Sequence, residues 1–342
     1  MANRRIDSGK PIGRQEDFLS NRTPSSSLRI VRFAGWTALA LLATILAANF
    51  LLSAVFGLGH PVLVTPDSAC GYILKPNQNV YRFFCHTRTD RYGMRSAPFS
   101  PIPAPGTLRI MFVGDSVTYG TSHVDQSRIF TQDIRRGLPA IVHRPVEVLD
   151  ASASAWAPDN ELSWVRSRGV FHSQLVLLVL NSGDLTQPRA TISEVGEATT
   201  LNHPDSALGE LWTRWLRRKL FHTAAGVDAG DSTSANAEAT IRSNLADLAA
   251  FQSLVTTQGA RFAIVYIPFR KEIPQPAAQS QAILHSWTAA HDVPLFDLTS
   301  AEAAEPTRAI SLDGDHFNTH GNLVVATAIE SQWTKVLGTV QP

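Results

Sequence analysis

Leu108-Arg109-Ile110-Met111-Phe112-Val113-Gly114-Asp115-Ser116-Val117-Thr118-Tyr119-Gly120 decides the fold of this chain. Ile110 to Val113 is a short apolar run, the pattern of a strand buried on both faces. It breaks at Gly114-Asp115-Ser116, where glycine permits a tight turn and Asp or Ser can cap a following helix. A serine there stands at the carboxyl end of a central strand, the edge at which open α/β sheets bind ligands. Alone, Gly-Asp-Ser reads equally as an ordinary strand, turn and cap, so its meaning depends on the rest of the chain.

Downstream, apolar runs alternate with helical periods. Ser127 to Leu138 reads as an amphipathic helix, Val146 to Leu149 as a strand, and Asp159 to Arg168 as a helix. Leu175 to Leu180 is a fully apolar strand ending in Asn181-Ser182-Gly183-Asp184. Ala239 to Gln258 reads as a long helix, Phe262 to Ile267 as a strand, and Gln275 to His291 as a helix. A short strand at Pro294 to Asp297 and a last helix from near Gly321 complete the series. Such alternation implies a parallel sheet covered on both faces in a domain over 106–342. Between Leu201 and Asp231, Leu208, Leu211, Trp212, Trp215, Leu216 and Leu220 recur at helical spacing among Arg214, Arg217, Arg218 and Lys219. This basic amphipathic helix is expected to be a packing or lid helix, with a membrane-surface or polyanion contact as the alternative. Gly226 to Ala235 reads as a connector.

Upstream, residues 1–32 form a basic, polar tail without apolar period, expected to be disordered and cytoplasmic. Residues 33–57 follow, and Phe33 to Phe56 carries no charge. About twenty apolar residues at about 1.5 Å rise cross the roughly 30 Å hydrocarbon core. Its amino flank is basic while its carboxyl flank, Gly57 to Pro66, has no Lys or Arg, so the positive-inside rule places everything after it in the periplasm or outside the cell. We expect a retained single-pass signal anchor, with a cleaved signal peptide as the competing reading. Residues 58–105 contain two strand-like runs, Cys70 to Leu74 and Val80 to Cys85, and a Pro-rich stretch up to Pro105. They read as one hairpin and a linker. Cys70 and Cys85, the only cysteines, stand at mirrored ends of that hairpin. In an oxidising compartment a Cys70–Cys85 disulfide would contribute about 3 kcal/mol. Two buried free thiols are the other reading.

Four strand-end loops carry candidate chemistry: Asp115-Ser116, Asp150 to Trp156, Asn181 to Asp184, and Asp313 to Asn322. A parallel sheet gathers such loops at one edge. A serine needs a base to become a nucleophile, and a histidine base needs a carboxylate to fix its tautomer. Asp313 lies three residues before His316, within one turn of it.

Gly114-Asp115-Ser116 near the start of the domain and Asp313-x-x-His316 with Gly321 near its end resemble the two outer blocks of the SGNH (GDSL-type) esterase family, in order and in spacing. Thr89-Asp90-Arg91-Tyr92-Gly93-Met94-Arg95 resembles the segment that precedes the domain in membrane-anchored bacterial members. The resemblance implies a three-layer α/β/α parallel-sheet fold of SGNH/flavodoxin-like type, with Ser116 as nucleophile, His316 as base and Asp313 as its orienter. It also implies an oxyanion hole from Ser116, from Ala155 where the family has glycine, and from a side-chain donor in the third block. That block reads Asn181-Ser182-Gly183-Asp184, with Gly183 at the donor position and Asn181 as the substitute donor.

His320, one turn past His316, reads as a helix-start residue, and we expect neither a metal nor another cofactor. A net charge of +1 over 342 residues gives no electrostatic case for a nucleic-acid partner. The expected function is an exported, membrane-anchored serine esterase that hydrolyses or transfers acyl groups, acetyl by family analogy, on an envelope or extracellular glycan. The alternative is a non-catalytic glycan-binding or assembly protein on the same scaffold.

Overall fold

The computed structural model describes residues 26–194, 200–216, 234–270, 279–311 and 313–338. The tail as far as 25, the second half of the basic amphipathic helix, most of the connector after Gly226 and the start of the helix expected from Gln275 lie outside the described residues.

The apolar run forms helix α1 (Ser26–Phe56). It is long and apolar enough to cross a membrane, with mean hydropathy 2.3 in an 18-residue window within Ser27–Phe56. Short strands follow as β1 (Val64–Asp67), β2 (Gly71–Leu74), β3 (Asn79–Arg82) and β4 (Cys85–Arg88). The main sheet begins with β5 (Leu108–Gly114), which leads into α2 (Ser116–Tyr119), α3 (Phe130–Gly137) and α4 (Pro139–Val142). Then come β6 (Val146–Ser152), α5 (Pro158–Arg168), β7 (Leu175–Asn181) and α6 (Ala207–Leu211), which runs into a π-helical turn over Trp212–Leu216. The chain continues through α7 (Ser234–Thr257), β8 (Arg261–Ile267), α8 (Gln279–Ala290) and β9 (Leu295–Asp297). It closes with α9 (Thr299–Ala303), α10 (Thr307–Ile310) and α11 (Thr319–Leu337).

The five-stranded sheet has the order β6-β5-β7-β8-β9, with every pairing parallel. Alternate residues of each strand feed opposite cores. Met111, Val113, Val176, Leu178 and Leu180 pack beneath Trp164 of α5, Phe251 of α7 and Trp287 of α8. Ile110, Phe112, Leu175, Leu177 and Val179 pack beneath Phe130 and Ile134 of α3 and Ile329 and Trp333 of α11. Each such side chain contributes about 1.5–3 kcal/mol of burial, and together they give the three-layer α/β/α arrangement. The chain steps from β5 to one neighbour, β6, and then returns to the other, β7. The switch point of the sheet therefore lies at the carboxyl end of β5, where Ser116 stands.

Two readings of the 58–105 stretch are corrected. The strand-like runs do not pair with each other: β2 pairs with β1 and β3 with β4, both antiparallel. The Cys70–Cys85 disulfide is not formed: both thiols are free, Cys70 in the turn between β1 and β2 and Cys85 at the start of β4. Cys70 is buried, its Sγ 3.3 Å from Asp67 Oδ1, while Cys85 Sγ donates to His123 O at 3.3 Å. The part of this stretch that precedes the Pro-rich segment packs against the main sheet. Tyr72, Leu74 and Met94 enter one core of the sheet, and Tyr72 Oη donates to Ser154 O at 2.6 Å.

Candidate active site

Ser116 opens α2 directly after β5. Gly114 serves there by its lack of a side chain, not by an unusual turn: a Cβ would stand 2.2 Å from Thr118 Oγ1 and 3.1 Å from Val179 O. Asp115 caps the helix, accepting the Val117 N–H at 2.8 Å. The loop after α2 is held by Arg95, whose guanidinium is fully buried. Its Nη1 donates to the carbonyls of Tyr119 and Thr121, both at 2.6 Å, and its Nη2 to that of Val124, also at 2.6 Å.

His316 comes from the loop between α10 and α11. Its Nε2 lies 2.9 Å from Ser116 Oγ, and its Nδ1 lies 2.7 Å from Asp313 Oδ2. A carboxylate only accepts, so Nδ1 carries the ring proton and Nε2 presents a lone pair to the Ser116 hydroxyl. Asp313 Oδ1 also accepts the main-chain N–H of His316 at 2.8 Å and of Asp315 at 3.0 Å. Burial opposes the charge on Asp313, but these bonds outweigh it and hold its carboxyl below the ordinary value. Ser116, His316 and Asp313 are thus in hydrogen-bonding series, and Asp313 rather than Asp315 faces the ring.

Ala155 borders the same cavity with φ +62°, the left-handed region that glycine favours. That conformation is why glycine suits this position, and alanine holds it at a modest backbone strain. Asn181 is differently occupied. Its Nδ2 donates to Asp115 Oδ2 at 2.8 Å and to Asp184 Oδ1 at 3.0 Å, and its Oδ1 accepts the Gly183 N–H at 2.7 Å. Both amide hydrogens are spent on carboxyl groups, so the substitute-donor role expected of Asn181 is not the one this arrangement gives it.

Behind the serine lie three buried carboxyl groups, Asp115, Glu161 and Asp184. Burial pushes each above its ordinary value, and on Glu161 and Asp184 the neighbouring Asp115 charge adds to it. On Asp115, the Val117 N–H and the nearby His316 oppose the rise. Among the described residues, neither carboxyl oxygen of Glu161 has a hydrogen-bond partner. A neutral acid satisfies that position better than a charge.

The serine opens into a cavity of about 780 Å³. Several of its walls had no signal in the sequence because they come from distant segments: Arg82 and Phe83, His123, Gln187, Arg214 and Phe269. The His123 ring stacks on Phe83 at 4.6 Å. Burial, then the Arg82 charge, keep His123 below its usual value. Gln187 Nε2 donates to Ala155 O at 2.7 Å and so fixes the loop that carries the candidate donor. His320 lies on α11 with its Nε2 3.8 Å from Glu305 Oε2. Among the described residues no three His, Cys, Asp or Glu side chains are grouped so as to hold a metal ion.

The fold and site define a doubly wound α/β domain with a Ser-His-Asp series at its switch point. No family model matches the sequence, and no curated protein matches it. Solved structures that the chain is similar to include GDSL-type esterases and acylhydrolases. One is a two-domain esterase active on acetylated mannans, at 13% identity, covering 69% of this chain and 51% of that one, with TM-score 0.44. The chain therefore spans about half of that esterase. Others are a lipase/acylhydrolase from Enterococcus faecalis (17% identity, 69% and 100% covered, TM-score 0.41) and a lipolytic protein of the G-D-S-L family from Veillonella parvula (13%, 67% and 99%, 0.40).

Proposed function

We propose that this chain is an exported, membrane-anchored serine esterase of SGNH type, acting on an acylated glycan of the envelope or exterior. The observation that carries the reading is the hydrogen-bonded series Asp313–His316–Ser116, opening into a cavity at the switch point. Ser116 Oγ attacks the ester carbonyl while His316 Nε2 takes its proton, and Asp313 stabilises the imidazolium. The Ser116 and Ala155 N–H groups meet the developing oxyanion. Collapse of the tetrahedral intermediate expels the alcohol, which takes the proton from His316 and leaves acyl-Ser116. Water, or a second sugar hydroxyl in a transfer reaction, then gives up its proton to His316 and accepts the acyl group, and Ser116 Oγ leaves with the proton returned from His316. Acetyl is the acyl group that the resemblance suggests, and the carboxyl-side domain lies outside the cytoplasm.

The occupied amide of Asn181 and the bare Gly183 favour a second reading, a non-catalytic glycan-binding or assembly protein. The two part in one assay of the purified full-length chain in detergent with p-nitrophenyl acetate. The esterase reading expects turnover that falls by about 10³-fold or more in Ser116→Ala and in His316→Ala, with little further loss in the double variant. Absence of turnover by the unaltered chain leaves the binding reading standing.

A further inference from the structure

Three segments that wall the cavity also converge on the end of the apolar helix. Glu210 of α6, fully buried, accepts the Gly59 N–H at 2.6 Å and the Arg82 Nη1–H at 3.1 Å. The Leu208 N–H of α6 donates to Asn49 Oδ1 at 3.2 Å. The β3–β4 turn closes the contact: Phe83 N–H donates to Phe56 O at 3.0 Å, and a Cβ on Gly57 would stand 2.1 Å from Tyr81 O. The point where the apolar run ends is thereby clamped to the turn and to α6.

The turn itself is unusual. Arg82 pairs with Cys85, so Phe83 and Phe84 form a two-residue turn, with φ of +49° and +65°. Such turns favour Asn-Gly, and each bulky left-handed residue costs roughly 1–2 kcal/mol. The strain sets the two rings to opposite uses. Phe83 faces the cavity. Phe84 is 64% exposed and meets Phe56 edge to face at 5.7 Å. The π-helical turn repeats the division: Arg214 lines the cavity, while Trp212 and Leu216, one turn apart, are 48% and 42% exposed. Tyr81 is exposed as well.

We propose that Phe84, Tyr81, Trp212 and Leu216 form an interfacial collar that seats the mouth of the Ser116 cavity on the outer surface of the bilayer. The enzyme then draws its ester from a carrier held in that surface. The inference rests on the reading of the chain as a membrane-anchored esterase. Its occupant, the lipid interface, follows from continuity. The collar begins where the chain leaves an apolar helix long enough to span, and aromatic side chains with a polar edge favour that depth. The spacing adds to this. Pro61 and Val62, Phe83, and Arg214 line the cavity, and they lie within a few residues of Phe56, Phe84 and Trp212 respectively. The cavity wall and the proposed interface are thus built from neighbouring residues of the same three segments.

The test uses the full-length chain in phospholipid vesicles. Lipids spin-labelled near the headgroup should quench a component of tryptophan fluorescence that Trp212→Phe lacks. With Phe84→Asp/Trp212→Asp, hydrolysis of a long-chain umbelliferyl ester inserted in the vesicles should fall by about tenfold or more. Hydrolysis of water-soluble p-nitrophenyl acetate should stay within about twofold, because neither residue lines the cavity. Equal quenching of the unaltered chain and Trp212→Phe would overturn the collar, as would parallel loss on both esters. If the unaltered chain hydrolyses neither ester, the esterase reading fails, and the quenching comparison still decides the collar by itself.

Discussion

Replacing Asn181 by alanine tests what that side chain is for. In the structure its amide bridges two buried carboxyl groups, Asp115 at 2.8 Å and Asp184 at 3.0 Å. Burial raises both carboxyls, so each bond falls near the boundary between neutral and charged hydrogen bonds, about 1.5 kcal/mol, rising to about 3 at full charge. Asp115 keeps the Val117 N–H and Asp184 keeps the main-chain N–H of Asn181, so neither is wholly abandoned. The lower part of the range is therefore appropriate, a loss of about 3 kcal/mol for the pair. In a domain of this size that corresponds to a fall in Tm of about 6–12 °C. The assay is thermal unfolding of the detergent-solubilised full-length chain by near-ultraviolet circular dichroism, with p-nitrophenyl acetate turnover measured well below the transition. A structural bridge predicts the large shift in Tm. An unchanged Tm with a drop of about 10²–10³ in turnover would instead make Asn181 an oxyanion donor and refute the argument.

Two further outcomes follow from buried titratable groups. Burial pushes Glu302 up to about 8, although the neighbouring Arg270 opposes it, and pushes Asp150 up to about 7 against hydrogen bonds from Ser152 and Thr131. Carboxyls raised in the folded state bind protons that the unfolded chain has lost, so stability should decline from about pH 4.5 to about pH 8. Glu302→Gln should flatten that decline and raise Tm at pH 8, where Glu302 alone accounts for at most about 5 kcal/mol; an unaltered slope would refute it. For the cysteines, with Cys70 pushed up to about 12 by burial, a reductant should leave Tm unchanged and Cys70 should resist alkylation in the folded chain. A fall of several degrees on reduction would restore the Cys70–Cys85 bond.

What the sequence discloses is local. The apolar run before Gly114 and the three-residue step from Asp313 to His316 need only neighbours to be read, and the alternation after them implies the parallel sheet. Strand partners in 58–105 were not legible, because which of the four short runs pairs with which depends on turns whose geometry no residue type announces. Phe83-Phe84 is the clearest case, a tight turn made by residues that normally avoid one. The disulfide reading failed with that pairing. Asn181 has the right chemistry for an oxyanion donor, and only the positions of Asp115 and Asp184 reveal that its hydrogens are committed elsewhere. Arg82 and Arg214, 132 residues apart in the chain (214 − 82), line one cavity, which no spacing rule could anticipate.

The buried guanidinium of Arg95 has a practical consequence for where this protein can be cut. A fragment starting at 106 would contain every strand of the main sheet and all of Ser116, His316 and Asp313, and by sequence it would look self-sufficient. It would nevertheless leave the carbonyls of Tyr119, Thr121 and Val124 facing an empty socket, and strip Tyr72, Leu74 and Met94 from one face of the sheet. The smallest piece that keeps the serine's surroundings intact begins just after the apolar helix, so the leading segment is an integral part of the folding unit it introduces.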